Sequence, residues 1–438
     1  MKSPRASVAG QSLLEVLIGL SIGAIIIGAA VFTIGGMLRS TTVTQQNRSA
    51  SLITQDLLDR ARSFFSESWR NFSAVSTSSA NHYFLNASGS TFLAVKGEEG
   101  VWDNDVSSGL VGQWKLDEDA SVATSTYDGS GNGNVGALQY GVGTTTLPAR
   151  LGLPACRISN CLQFNGAQQV GLNLGNWVRV PYSSAFDLTG SAITLSVWVR
   201  PVLNPPVGQY GGILSHSGVI AGYRLLHATG GGLLFQIGSP TTYNLNSLKT
   251  LVLNQWNYIA AVLENGAMKI YLNGVLDAQG AGPAALLPSA EYFYIGVTPD
   301  YSSLNGLIDD ARVYGRALSA DEIVKLSKAS PFRRYFYVDD ACRTSDASST
   351  LAGVAPCGGM ITDPATKGIS VVTEWVVGGK TSQYTFMDYL TRWQNGTFWQ
   401  NDWSGGPASD TPLPQPGNTF ASSTNLQFAS GTLRLKNL

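Results

Sequence analysis

The stretch ITLSVWV at residues 193–199 has the pattern of a half-buried β-strand. Its apolar residues alternate with other side chains, as residues on opposite faces of a strand do. Farther along, two Asn-Gly pairs at 265–266 and 273–274 stand between apolar runs. Asn-Gly between apolar runs is a strong hairpin signal. Short strands at such regular spacing predict a two-sheet β-sandwich.

Further blocks on both sides of this stretch extend the pattern over more than two hundred residues. In chain order they are GLVGQWKLDE (109–118), DGSGNGN (128–134), LQFNG (162–166), QWNY (255–258), GLIDDARVY (306–314) and RALS (316–319). Together they resemble laminin-G-like domains of the concanavalin type. The resemblance implies a jelly roll, which we place at residues 107–330. The sequence does not determine whether its ligand is a glycan or a surface protein, because in this fold the loops determine which ligand binds.

Acidic and amide side chains within these blocks are the candidate metal ligands. They are Asp117, Asp128, Asn134, Asp309 and Asp310. Calcium takes six to eight oxygen ligands from such groups, and relatives of this family often hold the ion. The alternative is that the loop from Asp128 to Asn134 is only a string of turn residues. Calcium is therefore the candidate cofactor.

Catalysis is not predicted. Glycan hydrolysis requires two carboxylates that face one cleft, and no strand carries an E-x-D-x-x-E pattern. The three histidines, His82, His216 and His227, have no catalytic or metal-binding spacing, so we expect structural roles for them. The prediction is a binding protein with no catalytic residue.

The N-terminus carries a second pattern. A leader with two cations ends at Gly10, and the sequence GQSLLE at 10–15 precedes an uncharged apolar run over 16–38. This arrangement resembles the signal of type IV pilins and pseudopilins. The resemblance implies that a prepilin peptidase cuts between Gly10 and Gln11 and methylates the new N-terminus. It also implies that Glu15 contacts the terminal amine of a neighbouring subunit during filament assembly.

The apolar run at 16–38 predicts a membrane span. As a helix it would be roughly 35 Å long, enough to cross a bilayer. The leader cations favour a cytoplasmic N-terminus. The predicted location is therefore a single N-in span of the cytoplasmic membrane, with the rest extracellular in a pilus or pseudopilus. A plain signal anchor is the alternative.

Residues 47–72 continue with an amphipathic helical pattern, and strand-like pieces follow before residue 107. A new run of strands begins near residue 331. Because a sheet needs three or more strands with an apolar face, we predict that both segments build one pilin head. The jelly roll would then be inserted in a loop of that head, because exposed loop tips tolerate the insertion of a domain. The predicted parts are a cleaved leader (1–10), the helix and first part of the head (11–106), the jelly roll (107–330) and the rest of the head (331–438).

The net charge of −1 gives no electrostatic basis for binding nucleic acid. Several tryptophans lie near the C-terminus, but from residue 331 onward eight basic residues are balanced by eight acidic ones. Such a segment lacks the charge that binds phosphate, so we interpret the tryptophans as buried sheet residues.

Four cysteines form two locally spaced pairs, Cys156/Cys161 and Cys342/Cys357. Outside the cytoplasm such pairs predict two disulfides. A single four-cysteine zinc site is the alternative, although C-x2-C spacing is missing.

The sequence therefore predicts an α+β, mainly β, chain: a long N-terminal transmembrane and amphipathic helix, an antiparallel pilin head sheet and a jelly-roll sandwich. The predicted function is a minor type IV pilin or pseudopilin that presents a lectin-like domain for adhesion. Its predicted partners are the prepilin peptidase, other pilin subunits, the inner-membrane assembly machinery and the membrane itself. A pseudopilin of a type II secretion or DNA-uptake system is the alternative, and an exported glycan-cleaving enzyme ranks third.

Overall fold

The computed structural model describes most of the chain. The described residues are 13–88, 91–102, 105–122, 124–141, 144–166, 175–217, 221–239, 241–328, 331–345, 350–377, 380–391, 426–429 and 432–435. Nearly half of them lie in strands of three large sheets, and a helix packs against one of these sheets.

The first part of the chain forms helices and three strands. They are α1 (Leu13–Glu67), a 3₁₀ helix (Trp69–Ala74), β1 (Tyr83–Ser88), β2 (Thr91–Lys96) and β3 (Glu99–Trp102). An N-cap fixes the start of the 3₁₀ helix, where the Ser68 side chain accepts a hydrogen bond from the Arg70 amide.

The middle part of the chain forms a β-sandwich. Its strands are β4 (Leu110–Trp114), β5 (Ser125–Thr126), β6 (Gly136–Tyr140), β7 (Ala149–Leu151), β8 (Cys161–Asn165), β9 (Asn176–Val180), β10 (Ala192–Pro201), β11 (Tyr210–Ser217), β12 (Gly222–Ala228), β13 (Leu233–Ser239), β14 (Thr241–Asn246), β15 (Asn257–Glu264), β16 (Ala267–Leu272), β17 (Val275–Ala281), β18 (Phe293–Ile295), β19 (Ser302–Ser303) and β20 (Asn305–Tyr314). Short 3₁₀ helices lie at Ser184–Phe186 and Thr229–Gly231, and α2 (Ala320–Lys328) follows the last strand.

The sandwich strands divide into two sheets. Among described strands, an eight-stranded sheet has the order β17-β16-β15-β10-β20-β8-β7, with β4 also on β20. A nine-stranded sheet has the order β14-β13-β12-β11-β18-β9-β6-β5, with β19 also on β11. Between them lies one core of buried side chains, including Trp114, Phe164, Phe186, Phe235 and Phe293. The 193–199 strand is central in its sheet, and both faces of it are buried.

The last part of the chain returns to the first. Its strands are β21 (Pro331–Arg343), β22 (Leu351–Val354), β23 (Ile361–Val377), β24 (Lys380–Thr391), β25 (Leu426–Ala429) and β26 (Thr432–Leu435). Strands β25 and β26 pair with each other, and the others join the first part in a sheet of order β2-β1-β21-β23-β24. Both β3 and β22 also pair with β21, so seven described strands form this sheet. Strands from before and after the sandwich thus share one sheet, and Trp102 pairs directly with Pro331.

Helix α1 packs on this seven-stranded sheet through its C-terminal half. The buried helix residues Leu57, Ala61 and Phe65 lie in one cluster with Phe336 and Val371 of the sheet. Spacing of three to four residues puts these helix side chains on one face. Burial of each large apolar side chain contributes roughly 1.5–3 kcal/mol.

The fold class predicted from the sequence, an α+β, mainly β chain with a long N-terminal transmembrane helix, is wrong because no such spanning helix is found among the described residues. The chain is mainly β, and its described residues include no helix that is both long enough and apolar enough to span a bilayer. Neither the predicted span at 16–38 nor the single-pass membrane location that was predicted from it is retained.

Candidate functional site

A shallow depression lies at one end of the sandwich, where the loop after β10 meets the starts of β11, β19 and β20. It is lined by Gly166, Leu203, Asn204, Pro205, Pro206, Tyr210, Gly211, Ser302, Ser303 and Asn305. We name it the Asn204 depression. Each described residue that lines the depression is uncharged, so the depression suits a neutral ligand.

Asn204 has an unused hydrogen-bonding side chain. Its Oδ1 atom is buried without a hydrogen-bond partner among the described residues. The amide lies against Gly231, where an added Cβ would come within 3.1 Å of Oδ1. Gly231 also has φ +90°, a conformation that favours glycine. A buried amide oxygen without a partner is costly, typically ~1–3 kcal/mol.

The loop that carries Asn204 is fixed by bonds from its neighbours. The Val202 amide donates to the Asn305 carbonyl over 2.9 Å. The Thr229 hydroxyl lies 2.8 Å from the Pro206 carbonyl and 2.9 Å from that of Gln209. The loop is therefore held in place without a ligand, which lowers the entropy that binding must overcome.

Tyr210 forms the aromatic side of the depression. Its ring centroid lies 5.0 Å from that of Tyr301, and the guanidinium of Arg224 lies 5.3 Å from the Tyr301 ring. Asp300 in turn pairs with Arg224 over 2.8 Å. An aromatic face beside amide and hydroxyl groups can pack against the C–H face of a ligand and bond its hydroxyls.

A protein-family model for the concanavalin A-like lectin/glucanase superfamily, the Laminin_G_3 family, matches residues 173–324. The sandwich is a concanavalin A-like jelly roll. This agrees with the resemblance found in the sequence blocks between residues 109 and 319. No curated protein sequence matches the chain.

Several solved structures match the chain weakly. Domain 4 of AbnA, a GH43 extracellular arabinanase from Geobacillus stearothermophilus solved with arabinotriose, is 20% identical, with a TM-score of 0.40 over 50% of this chain and 98% of that one. The binding domain of botulinum neurotoxin DC, solved with SialylT, is 10% identical, with a TM-score of 0.39 over 63% and 73% of the two chains. The binding domain of Paraclostridial Mosquitocidal Protein 1 is 13% identical, with a TM-score of 0.40 over 65% and 76%.

The candidate metal ligands Asp128 and Asn134 lie together, but as a turn. The Asp128 carboxylate accepts hydrogen bonds from the amides of Gln113 (2.9 Å), Ser130 (2.9 Å) and Asn134 (3.0 Å). The Asn134 side chain donates to the Val111 carbonyl over 3.1 Å. Backbone N–H groups point at the Asp128 carboxylate, in the place that a cation would have to occupy. The loop from Asp128 to Asn134 therefore has the turn structure that was predicted as the alternative to a calcium site.

Asp117 and Asp309 form a second, fully buried group. Asp117 accepts from the amides of Gly100 (2.6 Å) and Asn160 (3.2 Å), and one Asp309 oxygen accepts from the amides of Arg157 and Ile158. Burial raises the pKa of Asp117 well above its usual range, and the Asp309 charge raises it further. Burial, followed by the charge of Asp310, does the same to the pKa of Asp309.

Asp310 pairs with a cation. Its oxygens accept from the Arg312 guanidinium (2.7 Å), the Trp102 indole (2.7 Å) and the Gln113 amide (2.9 Å). Together these contacts do not fit calcium, which needs six to eight oxygens that converge on one point. Among the described residues, no group of three or more His, Cys, Asp or Glu could hold a metal ion.

Both predicted disulfides are present. Cys156 bonds Cys161, and Cys342 bonds Cys357. This pairing removes the alternative of a shared zinc site.

The buried histidines remain neutral near physiological pH. Burial lowers the pKa of His216, although Asp187 at 3.4 Å opposes the effect. Burial lowers the pKa of His227 to about 4. His82 lies elsewhere, 2.6 Å from Glu98, so the three rings form no common site.

Other predicted site residues fall outside what the structure describes. Gly10 and Gln11 lie before the first described residue, and the side chain of Glu15 is likewise outside. Sequence reasoning in turn missed Asn204, Tyr210 and Asn305. The sequence feature that could have pointed to this loop is the Pro205-Pro206 pair. It indicates a stiff loop, but proline has no side-chain group that would hydrogen-bond a ligand.

Proposed function

We propose that the jelly roll binds a carbohydrate in the Asn204 depression. The observation that carries the proposal is the unpartnered Asn204 amide, held by a fixed loop beside the Tyr210 ring. A sugar offers hydroxyls that both donate and accept hydrogen bonds, and an apolar C–H face. The lectin/glucanase family model over residues 173–324 supports the same class of ligand.

We propose binding rather than hydrolysis. Glycoside cleavage requires an acid and a second carboxylate on either side of the scissile bond. The described residues that line the depression include no carboxylate. We expect no release of reducing ends when the protein is incubated with polysaccharides, and detectable release would contradict this part.

A glycan array followed by calorimetry tests the proposal. Asn204→Ala and Tyr210→Ala should each lower the affinity for the best glycan about tenfold, since each removes a contact of roughly 1–2 kcal/mol. Both variants should fold, because the Asn204 side chain makes no hydrogen bond that the fold needs.

Matched controls are Asn47→Ala and Tyr384→Ala, exposed residues outside the sandwich that should leave the affinity unchanged. If the first two variants bind like the controls, the depression is not the site. If the unmodified protein binds no glycan, the function itself is wrong.

A second proposal concerns the N-terminus: a prepilin peptidase cleaves the chain between Gly10 and Gln11. The GQSLLE pattern at 10–15 supports it, and the proposed role as a minor pilin or pseudopilin subunit depends on it. On co-expression with the peptidase, the intact mass should fall by that of residues 1–10 and rise by one methyl group. Gly10→Val should block the change; cleavage elsewhere, or none, would rule out this role.

A further inference from the structure

The outward face of the nine-stranded sheet carries a row of polar and aromatic residues. Arg179 on β9 lies opposite Tyr294 on β18, which lies opposite Ser215 on β11, which lies opposite Arg224 on β12. Directly paired residues point to the same face. Their chain neighbours, including Val178, are in the core, so this row faces outward.

Arg179 is exposed and has no charged partner. Its guanidinium lies 5.0 Å from the centroid of the Tyr292 ring, which is itself 42% exposed. Arg179 makes no hydrogen bond or ion pair with any described residue, and none joins it to the neighbouring Glu291. The stacked ring holds the guanidinium in place while leaving its planar fork of donors open.

Ser215 is the one fully buried residue of the row. Its side chain is small and buried, and its hydroxyl lies 3.2 Å from that of Thr298. Tyr294 and Arg224 flank it from the two neighbouring strands, so they are ~10 Å apart. In contrast to Arg179, Arg224 is already occupied by Asp300 and by the side chain of Gln236.

This row continues into the Asn204 depression. Arg224 lies over Tyr301, and Tyr301 contacts Tyr210 at the edge of the depression. Along β11, Tyr210 and Ser215 are five residues apart, or ~17 Å. A ligand that touches both the depression and Arg179 must therefore be a chain of several sugar residues.

We infer that Arg179 binds a carboxylate-bearing sugar residue of an oligosaccharide, another residue of which occupies the Asn204 depression. The inference rests on the proposed carbohydrate binding and adds the ligand class, an acidic oligosaccharide. A guanidinium fork matches a carboxylate through two parallel hydrogen bonds, and charge-assisted bonds of this kind are about twice as strong as neutral ones.

The test compares acidic oligosaccharides with their methyl esters, which keep the sugar and remove the charge. The probes are oligogalacturonate, oligomannuronate, hyaluronan fragments and sialyllactose, each with its ester, together with neutral oligosaccharides. We expect at least one acid to bind about tenfold more tightly than its ester. Arg179→Gln should remove that difference, and Arg179→Lys should keep only part of it because lysine lacks the fork.

Arg48→Gln is the matched control, since it removes the same charge from an exposed position on α1. Equal binding of acids and esters, or a preference that survives Arg179→Gln, overturns the inference. If neutral glycans bind in an Asn204-dependent way without preference for acids, the inference fails and the proposed function stands. If no probe binds, both fail.

Discussion

Glu99 lies between two cations that come from different parts of the fold. Its carboxylate is 2.6 Å from Lys115 Nζ of the jelly roll and 2.6 Å from Arg334 Nε of the seven-stranded sheet. Arg334 also pairs with Asp56 of α1 over 2.7 Å. Burial alone would raise the pKa of Glu99, but the charges of Arg334 and Lys115 outweigh burial and lower the pKa to about 2. Glu99 thus joins the sheet to the sandwich, and Arg334 joins both to the helix.

Replacing Glu99 by Gln should lower the free energy of unfolding at pH 7 by ~3 kcal/mol, because a lost partner leaves buried cations uncompensated. The pKa of Glu99 is lower in the folded protein than in the unfolded chain. Its contribution is therefore complete above pH ~4.5 and is lost as the pH falls towards 2. Urea unfolding at several pH values should show the two proteins converging at low pH.

Glu264→Gln is the control, because its pair with Lys269 is largely exposed and should contribute less than ~1 kcal/mol. A Glu99→Gln variant as stable as this control would show that the cluster does not join the parts.

At the scale of single elements, the two disulfides close chain segments of different length. Cys342 at the end of β21 bonds Cys357, which follows β22, across a sequence separation of 15. Cys156 and Cys161 are separated by only 5 residues. A cross-link that closes a longer segment removes more conformational entropy from the unfolded chain.

Replacing Cys342 and Cys357 together by Ala should lower the free energy of unfolding by ~3 kcal/mol, and the same change at Cys156 and Cys161 by ~2 kcal/mol. Urea unfolding of both double variants under oxidising conditions measures the difference. The opposite order of losses would mean that packing around the cysteines outweighs loop closure.

At the scale of the whole molecule, the jelly roll leaves and rejoins the seven-stranded sheet at neighbouring positions. Trp102 pairs with Pro331 across β3 and β21. Within the jelly roll, the amide of Gly315, just after β20, donates a hydrogen bond to the carbonyl of Gly109, just before β4. The Trp102 ring also stacks at 6.1 Å on Trp198 of the jelly roll. Strands from before and after the jelly roll thus share one sheet, and the insertion of the jelly roll with boundaries at 107 and 330 stays a prediction.

Two chains derived from this one test those boundaries. Residues 107–330 expressed alone should fold and keep the glycan affinity of the full chain. The full chain with a short Gly-Ser linker in place of 103–330 should also fold, because the paired strand ends are only ~5 Å apart. Far-UV circular dichroism and a cooperative urea transition report folding. An unfolded product from either chain would mean that the two parts depend on each other.

The sequence itself determined the jelly roll and both disulfides. Strand alternation, Asn-Gly turns and cysteine spacing are local features, and the physics that gives them meaning acts over a few residues. The same local reasoning placed the apolar stripe of residues 57–65, which packs on the sheet. The same reasoning was wrong for the apolar run at 16–38, where the apolar composition alone predicted a membrane span.

Only the tertiary structure decided which polar groups meet. Asp128 is saturated by backbone amides, Asp310 pairs with Arg312, and the Asn204 Oδ1 atom is left without a partner among the described residues. Residues of the depression come from positions as distant as 166 and 305, and Arg179 meets Tyr292 only through sheet pairing. Satisfaction of a buried polar group depends on neighbours brought together by the fold, and these are not written in its local sequence.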